Sequence, residues 1–201
     1  MNVTLLDYGA GNVTSVERAL RRLGARAFTT NRPEGIAEAE RLILPGVGHC
    51  GALIAALDTH GLRQPLRDAI TRGVNFLGIC LGLQALYEAS DEAPSLAGLA
   101  LLPGRVTHLP SGVKLPHMGW NQLQCTKSSR LLDGIPPESY FYFAHSYAAP
   151  ASGPACTAVC EHGRAFISVI EQQNVFGVQF HPEKSGAPGA KLLENFLRLP
   201  A

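Results

Sequence analysis

Charge is scarce in this sequence. Of its 201 residues 16% are charged, the formal net charge is +1, and charges of one sign never form a run. Neither a nucleic acid nor an anionic membrane surface is therefore expected as a partner. Long apolar runs are also missing, and residues 1–7 lack a basic segment ahead of an apolar core. They read as a first strand, not as a secretion signal, and no stretch is long enough to cross a bilayer. The five cysteines, Cys50, Cys80, Cys125, Cys156 and Cys160, are odd in number. Without a secretion signal that argues against a disulfide framework and for a reducing cytoplasm. Cys156 and Cys160 lie close to His162, but no second ligand pair at finger spacing accompanies them, so no metal is expected. The two share parity on a strand and read as buried strand residues.

What is present fits a folded chain. Hydrophobic residues make up 46% of it, with no internal repeat and no low-complexity linker. One domain over residues 1–201 is expected. In the first half, apolar runs at 2–6, 25–29, 41–44 and 74–79 read as strands. Between them lie helical stripes such as Val16, Ala19, Leu20 and Leu23, capped by Thr14 or Ser15 and ended by Gly24. Strand–helix–strand order predicts a mostly parallel central sheet flanked by helices, an α/β fold. The second half reads as additional, antiparallel strands at 105–109, 121–125, 140–148, 155–160, 165–170 and 174–180, with a late helix at 190–197. The stretch 88–99 is acidic and loop-like.

The stretch Gly78-Ile79-Cys80-Leu81-Gly82-Leu83-Gln84 follows the strand at 74–79, and Leu83, Leu86 and Tyr87 sit after it at helical spacing. Glycine two residues before and two after a cysteine is the pattern of a nucleophile elbow, where a sharp turn crowds its neighbours. A helix N-terminus at the thiol favours thiolate. A buried apolar cysteine is the competing reading. A nucleophilic cysteine needs a base, and the base needs a partner to fix its tautomer. Among seven histidines, His181 alone ends a strand two residues before a carboxylate, Glu183, with Pro182 stopping the strand between them. If the chain stays extended there, both side chains lie on one side. Pro45-Gly46-Val47-Gly48 also follows a strand, and its two glycines allow close backbone approach to a ligand and an N–H turned towards it. Gly9-Ala10-Gly11 lacks the third glycine and the acidic strand end of a dinucleotide loop, so no cofactor is expected.

These three motifs, which run along the chain as Pro45–Gly48, Cys80 and His181–Glu183, resemble those of the class I glutamine amidotransferases. Asp7-Tyr8-Gly9-Ala10-Gly11-Asn12, Pro116-His117-Met118-Gly119-Trp120-Asn121, Tyr142-Phe143-Ala144-His145-Ser146-Tyr147 and Phe180-His181-Pro182-Glu183-Lys184-Ser185 resemble, within that group, the glutaminase subunits of imidazole glycerol phosphate synthase. The resemblance implies a catalytic triad of Cys80, His181 and Glu183. It implies an oxyanion hole from backbone N–H groups of Leu81 and of Val47 or Gly48. Gln84 and the backbone of Gly48, His145 and Ser146 would hold glutamine. The implied partner is a cyclase subunit, in a heterodimer, which receives the ammonia. Met118, Trp120, Asn121 and Tyr142, with Asn12 and Lys184, would face it. Met118 to Asn121 falls in a loop between two expected strands, where the only tryptophan is a candidate interface anchor. Two other functions compete: a stand-alone cysteine amidase acting on γ-glutamyl substrates, and a non-catalytic interaction subunit on the same scaffold.

Overall fold

In the computed structural model, which describes residues 1–9 and 12–200, strands and helices alternate through the first half. Their order is β1 (Asn2–Leu6), α1 (Val13–Arg22), β2 (Arg26–Thr30), α2 (Pro33–Ala37), β3 (Arg41–Gly46), α3 (Cys50–Thr59), α4 (Arg63–Thr71), β4 (Asn75–Cys80) and the single-turn α5 (Leu81–Gln84). Ala10 and Gly11, part of the turn expected after β1, and Ala201 lie outside the described residues. The second half carries β5 (Tyr87–Ser90), β6 (Leu102–His108), β7 (His117–Gln122), β8 (Gln124–Cys125), β9 (Tyr140–His145), β10 (Tyr147–Ala148), β11 (Cys156–Glu161), β12 (Ala165–Gln172) and β13 (Val175–Val178). A 3-10 turn (Pro182–Lys184) and α6 (Gly186–Arg198) follow.

The central sheet runs in the order β2-β1-β3-β4-β13-β12-β11-β8. Its first five strands are parallel, and β12, β11 and β8 continue it antiparallel. β3 and β4 are buried along their whole length, as strands covered on both faces must be. Leu42 and Leu44 face α2, α3 and α4, whereas Ile43 faces α1 and α6. The parallel α/β core with added antiparallel strands is the expected fold.

Several local expectations gave way to tertiary structure. α1 begins at Val13, because Asn12 and not Thr14 or Ser15 is its N-cap, and Gly24 ends it at φ 77°. The helix after the elbow lasts one turn. The carbonyls of Ala85 and Leu86 accept the N–H groups of Leu99, Leu101 and Leu102, so Tyr87 opens β5, which runs on into the stretch that reads as a loop. Met118 to Asn121 lies on β7, paired with β9, not in a loop. The expected strand at 121–125 is split between β7 and β8, and the one at 140–148 breaks at Ser146. Cys156 and Cys160 are both buried but on opposite faces of the sheet, because register shifts around Ala158 undo their shared parity.

No helix is long and apolar enough to cross a membrane, and no group of three or more His, Cys, Asp or Glu is placed to hold a metal ion, among the described residues.

Candidate active site

Three adjacent parallel strands end at one place. Gly46 of β3 lies beside Cys80 of β4, and Val178 of β13 beside Ile79. The chain leaving β3 supplies Val47 and Gly48, β4 delivers Cys80 and Leu81, and β13 leads to Gln179 and His181. The carboxyl ends of parallel strands are where open α/β sheets collect ligands.

Cys80 has φ 53° and ψ −105°, a conformation that non-glycine residues rarely hold. Backbone crowding around it explains the glycines. A Cβ on Gly78 would sit 2.5 Å from the Gly82 carbonyl oxygen, one on Gly82 1.9 Å from the Leu44 carbonyl oxygen, and one on Gly46 2.5 Å from Leu81 Cβ. Gly46 therefore serves close approach to the elbow. Gly48, at φ 97° with open space around it, is the position that gives the loop its freedom. The short α5 leaves the Leu81 N–H without an intrahelical acceptor.

His181 is buried, and its Nδ1 lies 3.0 Å from Glu183 Oε1. The chain does not stay extended here. Pro182 opens a 3-10 turn, and that turn, not strand parity, brings the carboxylate back to the ring. The Glu183 side chain is 1% exposed, and Asn12 Nδ2 donates to its Oε1 at 3.0 Å. Its Oε2 has no partner among the described residues. Burial works against charge on His181. The neighbouring Cys80 sulfur and the Glu183 carboxylate outweigh it and push His181 up to about 10. The buried Ser185 hydroxyl donates to the His181 carbonyl at 2.6 Å and accepts the Tyr142 N–H at 3.0 Å, tying the base to β9.

Cys80 and His181 open into a cavity of about 180 Å³, lined also by Val47, Gly48, Leu81 and Gln84. Glu92, His145, Ser146 and Lys184 complete much of its wall. The Val47 N–H does not face this space freely. The Tyr8 phenol oxygen accepts it at 3.1 Å and donates to the Val47 carbonyl, also at 3.1 Å. Burial pushes the Tyr8 phenol up to about 12.

Gln84 Nε2 donates to the Tyr147 carbonyl at 2.8 Å and to Gln179 Oε1 at 3.0 Å, and Gln179 Nε2 lies 3.5 Å from Cys80 Sγ. The inner face of β7 and β9 pairs His117 Nδ1 with His145 Nε2 at 3.1 Å. His145 Nδ1 lies 2.9 Å from the Tyr147 carbonyl, an arrangement that suits two neutral rings. Burial holds His145 down at about 3, opposed by that bond, and burial with the neighbouring His162 holds His117 at about 4.

The candidate interface residues separate into two groups. Met118 (65% exposed) and Trp120 (56%) stand on the outer face of the β7–β9 pair. Trp120 lies directly across from Tyr142, ring to ring at 5.8 Å, and Lys184 Nζ is 5.6 Å from the Tyr142 ring centre. Asn121 turns inward and donates to the Glu161 carbonyl, and Asn12 holds Glu183. Sequence reading missed Tyr8, Glu92, Gln179 and Ser185 as site residues. Three of them stand inside the quoted motifs or next to one. Glu92 carries no local signal. After the loop, His49 Nδ1 accepts the Gly51 N–H at the start of α3, and the Cys50 N–H donates to Glu92 Oε2.

A strained cysteine, a buried His–carboxylate pair and a glycine loop at neighbouring strand ends are the layout of acyl transfer through a thioester. The sequence profile of glutamine amidotransferase class-I matches residues 4–199. A crystal structure of glutamine amidotransferase superposes with a TM-score of 0.77 at 21% identity, covering 97% of this chain and 96% of that one. Among curated proteins, the imidazole glycerol phosphate synthase subunit HisH of Methanothermobacter thermautotrophicus is 46% identical over 98% of both chains. The HisH subunit of Salinibacter ruber is 45% identical over 98% of this chain and 94% of its own. The chain thus belongs to the class I glutamine amidotransferases and, within them, to the HisH subunits of imidazole glycerol phosphate synthase.

Proposed function

We propose that this chain hydrolyses glutamine to glutamate and ammonia and passes the ammonia to a cyclase subunit. The cyclase then makes imidazole glycerol phosphate, for histidine biosynthesis, and releases aminoimidazole carboxamide ribotide, which feeds purine synthesis. The observation that carries the reading is the convergence of Val47–Gly48, Cys80 and His181–Glu183 on one cavity from three neighbouring strands.

The Cys80 thiolate attacks the side-chain amide carbon of glutamine, and the negative charge moves to the amide oxygen. Backbone N–H groups of Leu81 and of the Val47–Gly48 loop receive that charge. The C–N bond then breaks as His181, oriented by Glu183, gives its proton to the departing nitrogen. Water, deprotonated by the same ring, attacks the γ-glutamyl thioester and releases glutamate and the Cys80 thiol. Gln84 and the backbone of Gly48, His145 and Ser146 hold the substrate, and the Glu92 carboxylate supplies the charge to meet its α-ammonium group. In the arrangement described, Tyr8 occupies the Val47 N–H, so the oxyanion site is short of one donor. A chain in this state turns over slowly until a partner frees the loop. The outer face of β7 and β9, with Met118, Trp120 and Tyr142, and Lys184 beside it, is the proposed cyclase surface.

The test is Cys80→Ala. Glutamine hydrolysis is abolished, while synthesis from added ammonia by the complex with a cyclase subunit persists. Loss of both activities in a folded complex would mean that Cys80 is structural.

A further inference from the structure

Gln179 is fully buried (0% exposed) at the exit of β13, and nothing in the reaction described so far uses it. Its side-chain amide can be oriented without ambiguity. The Tyr147 carbonyl can only accept, so the Gln84 atom facing it is the amide nitrogen. The second hydrogen of that nitrogen points to Gln179, so the Gln179 atom facing it is the oxygen. The Gln179 amide nitrogen is then forced towards Cys80 Sγ, at 3.5 Å. One backbone carbonyl thereby fixes a chain of two glutamines whose last N–H ends on the nucleophile. The backbone N–H of Gln179 donates to Ser168 at 3.0 Å and holds the residue in place.

From this geometry we infer that Gln179 is a further catalytic residue of the proposed glutaminase: it donates a hydrogen bond to the Cys80 sulfur, favouring the thiolate and aiming it, while Gln84 fixes the donor's orientation. A donor to the charged form of a group favours that form. The sulfur therefore has a second stabilising neighbour besides His181, an amide that does not ionise in the working pH range. The relay also runs along the cavity wall, since Tyr147 follows His145 and Ser146, two of the residues proposed to hold substrate. The nucleophile and the substrate wall are thus set by the same hydrogen-bond chain.

The inference rests on Cys80 being the nucleophile, and the experiment separates the two. The full-length chain is treated with a diazo-ketone analogue of glutamine, and Cys80 modification is read by peptide mass. Labelled wild-type Cys80 upholds the nucleophile, and unlabelled Cys80 sinks that reading whatever Gln179 does. Alkylation of Cys80 by iodoacetamide is then followed from pH 5 to 10 in wild type and in Gln179→Met, which keeps the length and loses the donor. The expected result is an upward move of the alkylation midpoint by about one pH unit, with a roughly tenfold slower reaction at pH 6 and converging rates at high pH. An unchanged midpoint in a variant with wild-type circular dichroism overturns the inference, as does an equal slowing at every pH. If Gln179→Met does not fold, Gln84→Met serves instead. It releases the Gln179 amide to flip, and an upward move smaller than one unit is expected. No move there overturns the inference.

Discussion

Replacing Tyr8 by Phe removes one oxygen atom, and the structure lets its effect be worked out. That oxygen makes two hydrogen bonds, both to Val47, at 3.1 Å. Each neutral bond has a net worth of about 0.5–1.5 kcal/mol, so the pair favours the engaged loop by roughly 1–3 kcal/mol. Only the state with Val47 turned to Tyr8 loses this, because a loop with its N–H at the oxyanion does not use the phenol. The ratio of the two states then shifts by about 5- to 150-fold. Glutamate release by the isolated chain is expected to rise by a factor within that range. The rate of the complex with cyclase and its nucleotide ligand stays unchanged, so the stimulation falls by the same factor. The phenol, pushed up to about 12, keeps its proton through the assay range, so the effect is the same at pH 7 and 9. An unchanged or lower basal rate in a folded Tyr8→Phe chain refutes the reasoning, as does an equal rise with and without the partner.

Trp120→Ala should weaken association with a cyclase subunit by at least ~2 kcal/mol, roughly 30-fold in Kd by calorimetry, while basal glutamine hydrolysis is kept. Gly82→Ala forces a Cβ to 1.9 Å from the Leu44 carbonyl oxygen. A loss of about 3 kcal/mol follows, read as a drop of roughly 6–12 °C in Tm. His145, held at about 3 chiefly by burial, stays neutral in the folded chain where the unfolded chain takes up a proton below about 6.5. Its stabilising contribution is complete above 6.5 and is lost as pH falls towards 3, at about 1.4 kcal/mol per unit. Tm of His145→Gln should therefore fall less steeply than that of wild type between pH 6.5 and 4.

The triad and loop candidates were legible because their signals are local: glycines flank Cys80, a strand stops at Pro182, and Gly46 and Gly48 bracket one residue. The parallel core was legible for the same reason, as apolar runs alternating with helical stripes. What escaped depends on contacts between segments far apart in sequence. Nothing near Glu92 tells that its carboxylate takes the Cys50 N–H and walls the cavity. Nothing near Tyr8 tells that its hydroxyl meets Val47. The helical spacing through Leu86 and Tyr87 failed because a returning segment captures the carbonyls that would have continued the helix. Trp120 was singled out from an expected loop, yet it owes its exposure to the outer face of a strand.

The contacts that crowd the elbow are largely main chain against main chain: Gly78 under the Gly82 carbonyl, and Gly82 against the Leu44 carbonyl. Main-chain atoms are the same in every protein. Substitutions in the surrounding apolar core can therefore accumulate without moving the sulfur, provided these glycines are kept. Heredity then guards the reactive atom through a very few positions, and leaves the rest of the sheet free to drift.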